Sequence, residues 1–167
     1  LLSMKPRIIE CNVDEKSLQS GNKYSDSCRK KFPEENIIIV CADIEDQIMG
    51  LQAKDRKDFM LESGIKSTGL DNLIKTGYKA LGLSTFFTSG PEESRAWTIE
   101  KKSKAMDAAG VIHTDFKKKF IRAETVTCED FIKYKGFNEC KNAGKLRLEG
   151  KDYLVNDGDV MYFRVGS

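Results

Sequence analysis

The sequence predicts two small domains in tandem: an incomplete α/β layer built on parallel strands, then an α+β domain. Three observations predict it. Residues 6–11 and 37–40 are short apolar runs separated by a polar stretch with helical spacing, which gives the order strand, helix, strand. Helix-like stretches rich in charge follow as far as residue 81. After Leu83 the texture changes to short strand-like runs broken by Gly, Pro and Asn-Asp turns.

Residues 6–11 end at Asn12 and suit a strand. Residues 22–32 place Tyr24, Cys28 and Phe32 at helical spacing. Ile37-Ile38-Ile39-Val40 is continuous and β-branched, as in a strand buried on both faces of a parallel sheet. Two parallel strands around a helix imply a right-handed crossover, yet two strands do not make a stable doubly covered sheet, so further strands are expected upstream. Residues 44–51 and 54–61 read as helices, with Gly64 as a stop. Residues 69–81 read as a third, with Leu70, Leu73, Ile74, Tyr78 and Leu81 on one face and Gly82 ending it.

Residues 85–88 and 95–99 are strand-like and joined by a Ser-Gly-Pro turn at 89–91. Residues 105–113 suit a short helix, and 120–126 alternate as a strand. Residues 146–148 and 153–155 are short strand candidates around Gly150. Asn156-Asp157-Gly158-Asp159 is a turn, and 160–165 form the last strand. Several strands around one helix make a small α+β domain. The domains are placed at 1–83 and 84–167.

The formal charge is +2, so nucleic-acid binding would have to come from a local patch. The cysteine count is odd, 5, and none are spaced as Cys-x-x-Cys, which argues against a disulfide framework or zinc site and for a reducing compartment. No apolar run approaches the ~20 residues that cross a bilayer. The start, Leu-Leu-Ser-Met-Lys-Pro, lacks signal-peptide order and reads as cut from a longer chain.

Certain stretches carry a resemblance: Leu-Gly-Leu-Ser-Thr-Phe-Phe-Thr-Ser-Gly at 81–90, Arg-Ala-Trp-Thr-Ile at 95–99, Ala-Ala-Gly-Val-Ile-His-Thr-Asp-Phe at 108–116, Phe-Ile-Arg-Ala-Glu at 120–124, Glu-Asp-Phe-Ile-Lys-Tyr-Lys-Gly at 129–136, Ala-Gly-Lys-Leu-Arg-Leu-Glu-Gly-Lys-Asp-Tyr at 143–153 and Asp-Gly-Asp-Val-Met-Tyr-Phe-Arg at 157–164. Together they resemble the YchF/Obg-like P-loop ATPase family over essentially the whole chain. The resemblance implies that 1–83 is an α/β C-terminal remnant of a Ras-like P-loop NTPase domain. It implies that 84–167 is an α+β β-grasp, ubiquitin-like TGS domain. It further implies a cytoplasmic, ribosome-associated parent that hydrolyses ATP, with GTP accepted by some members, using Mg²⁺.

The resemblance also assigns base-binding loops. Asn12, Val13 and Glu15 follow the first strand at the place of the Asn-Lys-x-Asp motif of Ras-like enzymes. There an aspartate accepts two bonds from guanine. Adenine offers a donor beside an acceptor, so a two-bond carboxylate clamp does not fit it, and guanine preference is weakened. The backbone near Val13 is then expected to contact the base and Asn12 to brace the loop. Cys41, Ala42 and Asp43 match the second base loop, with Asp43 where lysine is usual. A P-loop requires Gly-x-x-x-x-Gly-Lys-[Ser/Thr]. Gly144-Lys145 and Gly150-Lys151 fit neither the first glycine nor the final hydroxyl. No catalytic residue and no metal site is expected in this chain, nor a bound cofactor, and the isolated chain is expected not to hydrolyse nucleotide.

Lys101, Lys102, Lys104, Lys117, Lys118, Lys119 and Arg122 form a basic candidate surface for RNA or ribosome, with Trp97 and Phe116 as nearby aromatics that either stack on bases or belong to the core. Interleaved acids at Glu100, Asp107, Asp115 and Glu124 weaken that patch. His113 fits a structural or capping role, since no triad assembles around it. The alternative to an enzyme part is a binding module, the second domain acting as an RNA, ribosome or protein adaptor without nucleotide chemistry. A ubiquitin-like carrier needs a free Gly-Gly tail, and the sequence closes Arg-Val-Gly-Ser.

Overall fold

The structure is a computed structural model that describes residues 4–166. The first three residues of the Leu-Leu-Ser-Met-Lys-Pro start and the final serine lie outside the described residues. The chain divides into two compact units, one ending at Leu81 and one beginning at Gly82.

The first unit runs β1 (Ile8–Asn12), a 3-10 turn (Glu15–Ser17), α1 (Lys23–Lys31), β2 (Asn36–Val40), α2 (Ala42–Gly50), α3 (Ala53–Glu62) and α4 (Gly69–Ala80). β1 and β2 are parallel, with Ile8 opposite Asn36 and Asn12 opposite Val40. α1 starts in a capping box: Asn22 accepts from the Tyr24 and Ser25 N–H groups and the Ser25 hydroxyl accepts from Asn22 N–H. Gly64 ends the α3 region at φ +67°, a left-handed turn that suits glycine. The core is small: Cys41, Ile44 and Ile48 from the β2–α2 corner, packed by Leu18, Phe59, Met60 and Ile65.

Two expectations shift here. Ile38 and Val40 are buried but Ile37 and Ile39 are only half-buried, so β2 shows one covered face rather than two. A sheet of two strands cannot bury both faces. On α4 the periodicity places the helix, but Leu70, Ile74, Tyr78 and Leu81 stay exposed and only Leu73 is half-buried. α4 meets β2 through its first residue instead: a Cβ on Gly69 would lie 2.6 Å from Val40 Cγ1.

The second unit runs β3 (Leu83–Ser89), β4 (Ser94–Glu100), α5 (Ala105–Ile112), α6 (Thr114–Lys118), β5 (Phe120–Thr127), α7 (Cys128–Tyr134), α8 (Phe137–Asn142), β6 (Arg147–Glu149) and β7 (Asp159–Val165). Its sheet has the order β4-β3-β7-β5-β6, with β3 and β7 parallel and the other pairs antiparallel. One face takes α5: Ala105, Ala108 and Ala109 are fully buried against Phe86, Ile99, Met161 and Phe163. Small side chains let the helix approach closely, and burying Phe86 alone stabilises by about 2–3 kcal/mol. On the other face Val126, Val160 and Cys140 form a second cluster under Phe131, Phe137 and Leu146.

The sequence led to one helix here; the described residues form four. α7 opens on Thr127, whose hydroxyl accepts the Asp130 N–H at 3.1 Å, a capping signal hidden behind a strand that ends on the same residue. Residues 153–155 are not a strand: only Leu154 bridges, to Lys104. The 156–159 segment is a turn, fastened by Asp157, which accepts the Thr85 N–H at 2.7 Å. Asp159 is buried and accepts from Arg147 (3.1 Å), Tyr153 Oη (2.8 Å) and the Asn156 N–H (2.9 Å), tying β6, the 150–158 segment and β7 together.

Candidate functional site

The two candidate base loops leave the carboxyl ends of neighbouring parallel strands, where open α/β sheets bind ligands. β1 and β2 end in register, so the loops start side by side. They are joined twice. The Val13 N–H donates to the Val40 carbonyl at 2.9 Å, and the Asn12 side-chain oxygen accepts the Ala42 N–H at 3.0 Å. The Asn12 bond crosses from one loop to the first residue of α2, which needs a partner because a helix start leaves its N–H groups free. Cys41, at the cap position, makes no side-chain cap.

Val13 and Cys41 are buried, and Cys41 belongs to the core; Ala42, Asp43 and Glu15 are exposed. Asp14 accepts the Ser17 N–H at 3.0 Å, which fixes the 3-10 turn and holds Glu15 at its start. Neither Glu15 nor Asp43 has a side-chain partner among the described residues. Six residues chosen from sequence thus fall on one end of one strand pair. A cavity of about 390 Å³ elsewhere in this unit, between Leu18, Ile39, Glu45 and Asn72, includes none of them. Beside it Glu45 occupies the start of α4, accepting the Gly69 N–H at 2.6 Å.

The basic residues singled out in the second unit come from three places in the chain. Lys101, Lys102 and Lys104 sit in the turn between β4 and α5, Lys117, Lys118 and Lys119 at the end of α6, and Arg122 on β5 opposite Arg164. Lys104 pairs with Asp152 at 2.7 Å and Lys117 with Asp107 at 2.8 Å. The Asp152 hydrogen bond raises the Lys104 pKa above the usual lysine value and draws the Asp152 carboxyl below the usual aspartate range. The other five have no side-chain partner among the described residues. Trp97 and Phe116 are half-buried against the core, with Trp97 Nε1 donating to Thr88 Oγ1 at 2.9 Å. His113 caps α6 through Nδ1, which accepts the Asp115 N–H at 3.2 Å. Among the described residues no cluster of His, Cys, Asp and Glu has the makings of a metal site, all five cysteines are free, and no helix is long and apolar enough to cross a membrane.

Residues 83–166 match the YchF-GTPase_C family, described as a protein of unknown function. A Haemophilus ducreyi protein named ribosome-binding ATPase YchF is 48% identical over 98% of this chain and 45% of its own. The chain belongs to the YchF family. Obg-like ATPase 1 of Pongo abelii is 40% identical over 98% of this chain and 42% of its own. The structure of the Schizosaccharomyces pombe YchF GTPase superposes with a TM-score of 0.83 at 36% identity, covering 98% of this chain and 44% of that one. A mixed α/β fold of the YchF type is therefore secure, and the chain spans a little under half the length of the curated YchF relatives it matches. Sequence reasoning missed Glu45 and Gly69, which anchor α4 beside the second candidate loop. A glycine at a helix start with an acid 24 positions earlier leaves no local signal.

Proposed function

We propose that this chain is the carboxyl-terminal part of a YchF-type ATPase. In this reading residues 1–83 complete the purine side of a P-loop nucleotide site, and 84–167 are a β-grasp TGS domain that meets the ribosome. The reading rests on one observation above all. The Asn12 side chain binds the Ala42 N–H at 3.0 Å and so fixes the two base loops to each other. The sheet order, with a parallel central pair and a helix across one face, supports a β-grasp. Names of relatives supply the ATPase and the ribosome.

The chemistry divides accordingly. Val13 and Cys41 give the base a fixed floor, the backbone around Val13 meets the ring edge, and Glu15 stands where Ras-like enzymes carry the guanine-binding aspartate. Phosphoryl transfer depends on holding the phosphates and their Mg²⁺, a task for a P-loop that these 167 residues do not contain. ATP, or GTP as alternative, binds with Mg²⁺ only when that element is supplied.

In a polypeptide joining this sequence to a P-loop segment, Asn12→Ala raises the KM for ATP about tenfold, the equivalent of one charge-free bond and a loosened loop. An unchanged KM rejects the base-loop assignment. The isolated chain shows no Mg²⁺-dependent turnover; detectable turnover that survives repurification overturns that part. For the ribosome, charge reversal of Lys101, Lys102, Lys118 and Lys119 weakens co-sedimentation, and the affinity of the unaltered chain falls steeply with salt. Binding indifferent to salt removes the electrostatic reading.

A further inference from the structure

The second unit holds a cavity whose walls and charge specify a ligand. β3 and β7 register at Phe87 opposite Val160. Near that end of the sheet, by the 89–94 hairpin turn, lies a cavity of about 400 Å³. Its wall is apolar and largely aromatic: Trp97, Ile112, Phe116, Met161 and Phe163. Its lip carries Glu92 and Glu93, and no lysine, arginine or histidine lines it. Neither carboxylate has a cationic partner among the described residues. Arg95, the nearest cation in sequence, lies 4.3 Å from the Trp97 ring centroid instead.

The size falls in the range of small-ligand sites, which combine an apolar lining with a few polar groups that fix orientation. Two carboxylates with no ion-pair partner, over aromatic walls, repel anions and attract cations, since aromatic faces and carboxylates both carry negative potential. The indole is already a cation acceptor in this fold, as the stacked guanidinium shows. We propose that this cavity binds an organic monocation with an apolar body, its ammonium or guanidinium held by Glu92 and Glu93 and its body seated among Trp97, Ile112 and Phe116. The same chemistry comes from a free amine or from a basic residue of a peptide. This site is independent of the nucleotide and ribosome readings.

Trp97 is the single tryptophan, so its fluorescence reports occupancy of its own wall. The full chain is titrated with phenethylammonium, with 3-phenylpropionate and with benzyl alcohol, which share a ring and differ in charge. A blocked Lys-Leu dipeptide amide supplies the peptide arm. The expected result is a saturable change with at least one of the two cations and none with the anion. Glu92→Gln with Glu93→Gln is expected to weaken it about fivefold, as is about 0.5 M salt. Saturation by the amine alone assigns a free amine, and by the dipeptide a peptide side chain. Equal responses to all three charges, a linear response, or an effect undiminished in the double variant overturns the proposal. Both substitutions lie on a surface turn, and an unchanged circular dichroism spectrum shows that the variant has folded.

Discussion

Asp159 carries more structural load than its turn-forming neighbours. It is 2% exposed and serves three donors, one from β6 and two from the 150–158 segment. Asp159→Asn keeps the shape but loses the charge facing Arg147, and leaves donors with a weaker acceptor. It should destabilise the second unit by about 2 kcal/mol, read as a lower urea midpoint of Trp97 fluorescence. Tyr153→Phe should cost about half that. The exposed Lys104–Asp152 pair has little to do with stability but is visible in titration. Asp152 is depressed by its lysine partner, so any stabilisation is present at neutral pH and fades as pH falls through the lowered folded value. By NMR, the Asp152 carboxyl should titrate below its usual range, and Lys104→Ala should return it there. Sequence reasoning placed Asp157 and Asp159 in a turn; the burial of Asp159 was invisible, because its partners lie up to 12 positions away in segments of no clear pattern.

At the scale of elements, α4 separates what periodicity can and cannot give. The stripe at 70, 73, 74, 78 and 81 defines a helix, and the helix is there. Which side is covered depends on the layer against it, and in this chain the stripe remains largely open. Replacing Leu70 and Ile74 by lysine should therefore change the stability of the isolated chain by no more than about 0.5 kcal/mol and should reduce binding of a hydrophobic dye. A drop of several kcal/mol would show the stripe to be core. The reverse holds at Gly69: Gly69→Ala sets a Cβ against Val40 and should cost about 1–3 kcal/mol in thermal unfolding followed by circular dichroism. α7 and α8 were missed because each is short, 7 and 6 residues, and helical spacing does not show over so few positions.

For the whole molecule, the two units have separate cores of unequal size. The second has five strands and helices on both faces of its sheet; the first has two strands and a three-residue buried cluster. Stability scales with apolar area removed from water, so the first unit should unfold at lower urea. Far-ultraviolet circular dichroism should show two transitions, and Trp97 fluorescence only the later one. A single coincident transition would refute this. The candidate base loops belong to the first unit, which is expected to unfold first.

Gly69 has a mechanical corollary. With no side chain between helix and strand, and with the carboxylate of Glu45 gripping its leading amide, α4 has no slack at that end. A tilt of its far end should therefore press like a lever on Val40, one peptide from Cys41 and two from the amide that Asn12 holds. Whatever grips the exposed stripe of α4 should thereby have a hand on the two loops proposed to hold the purine.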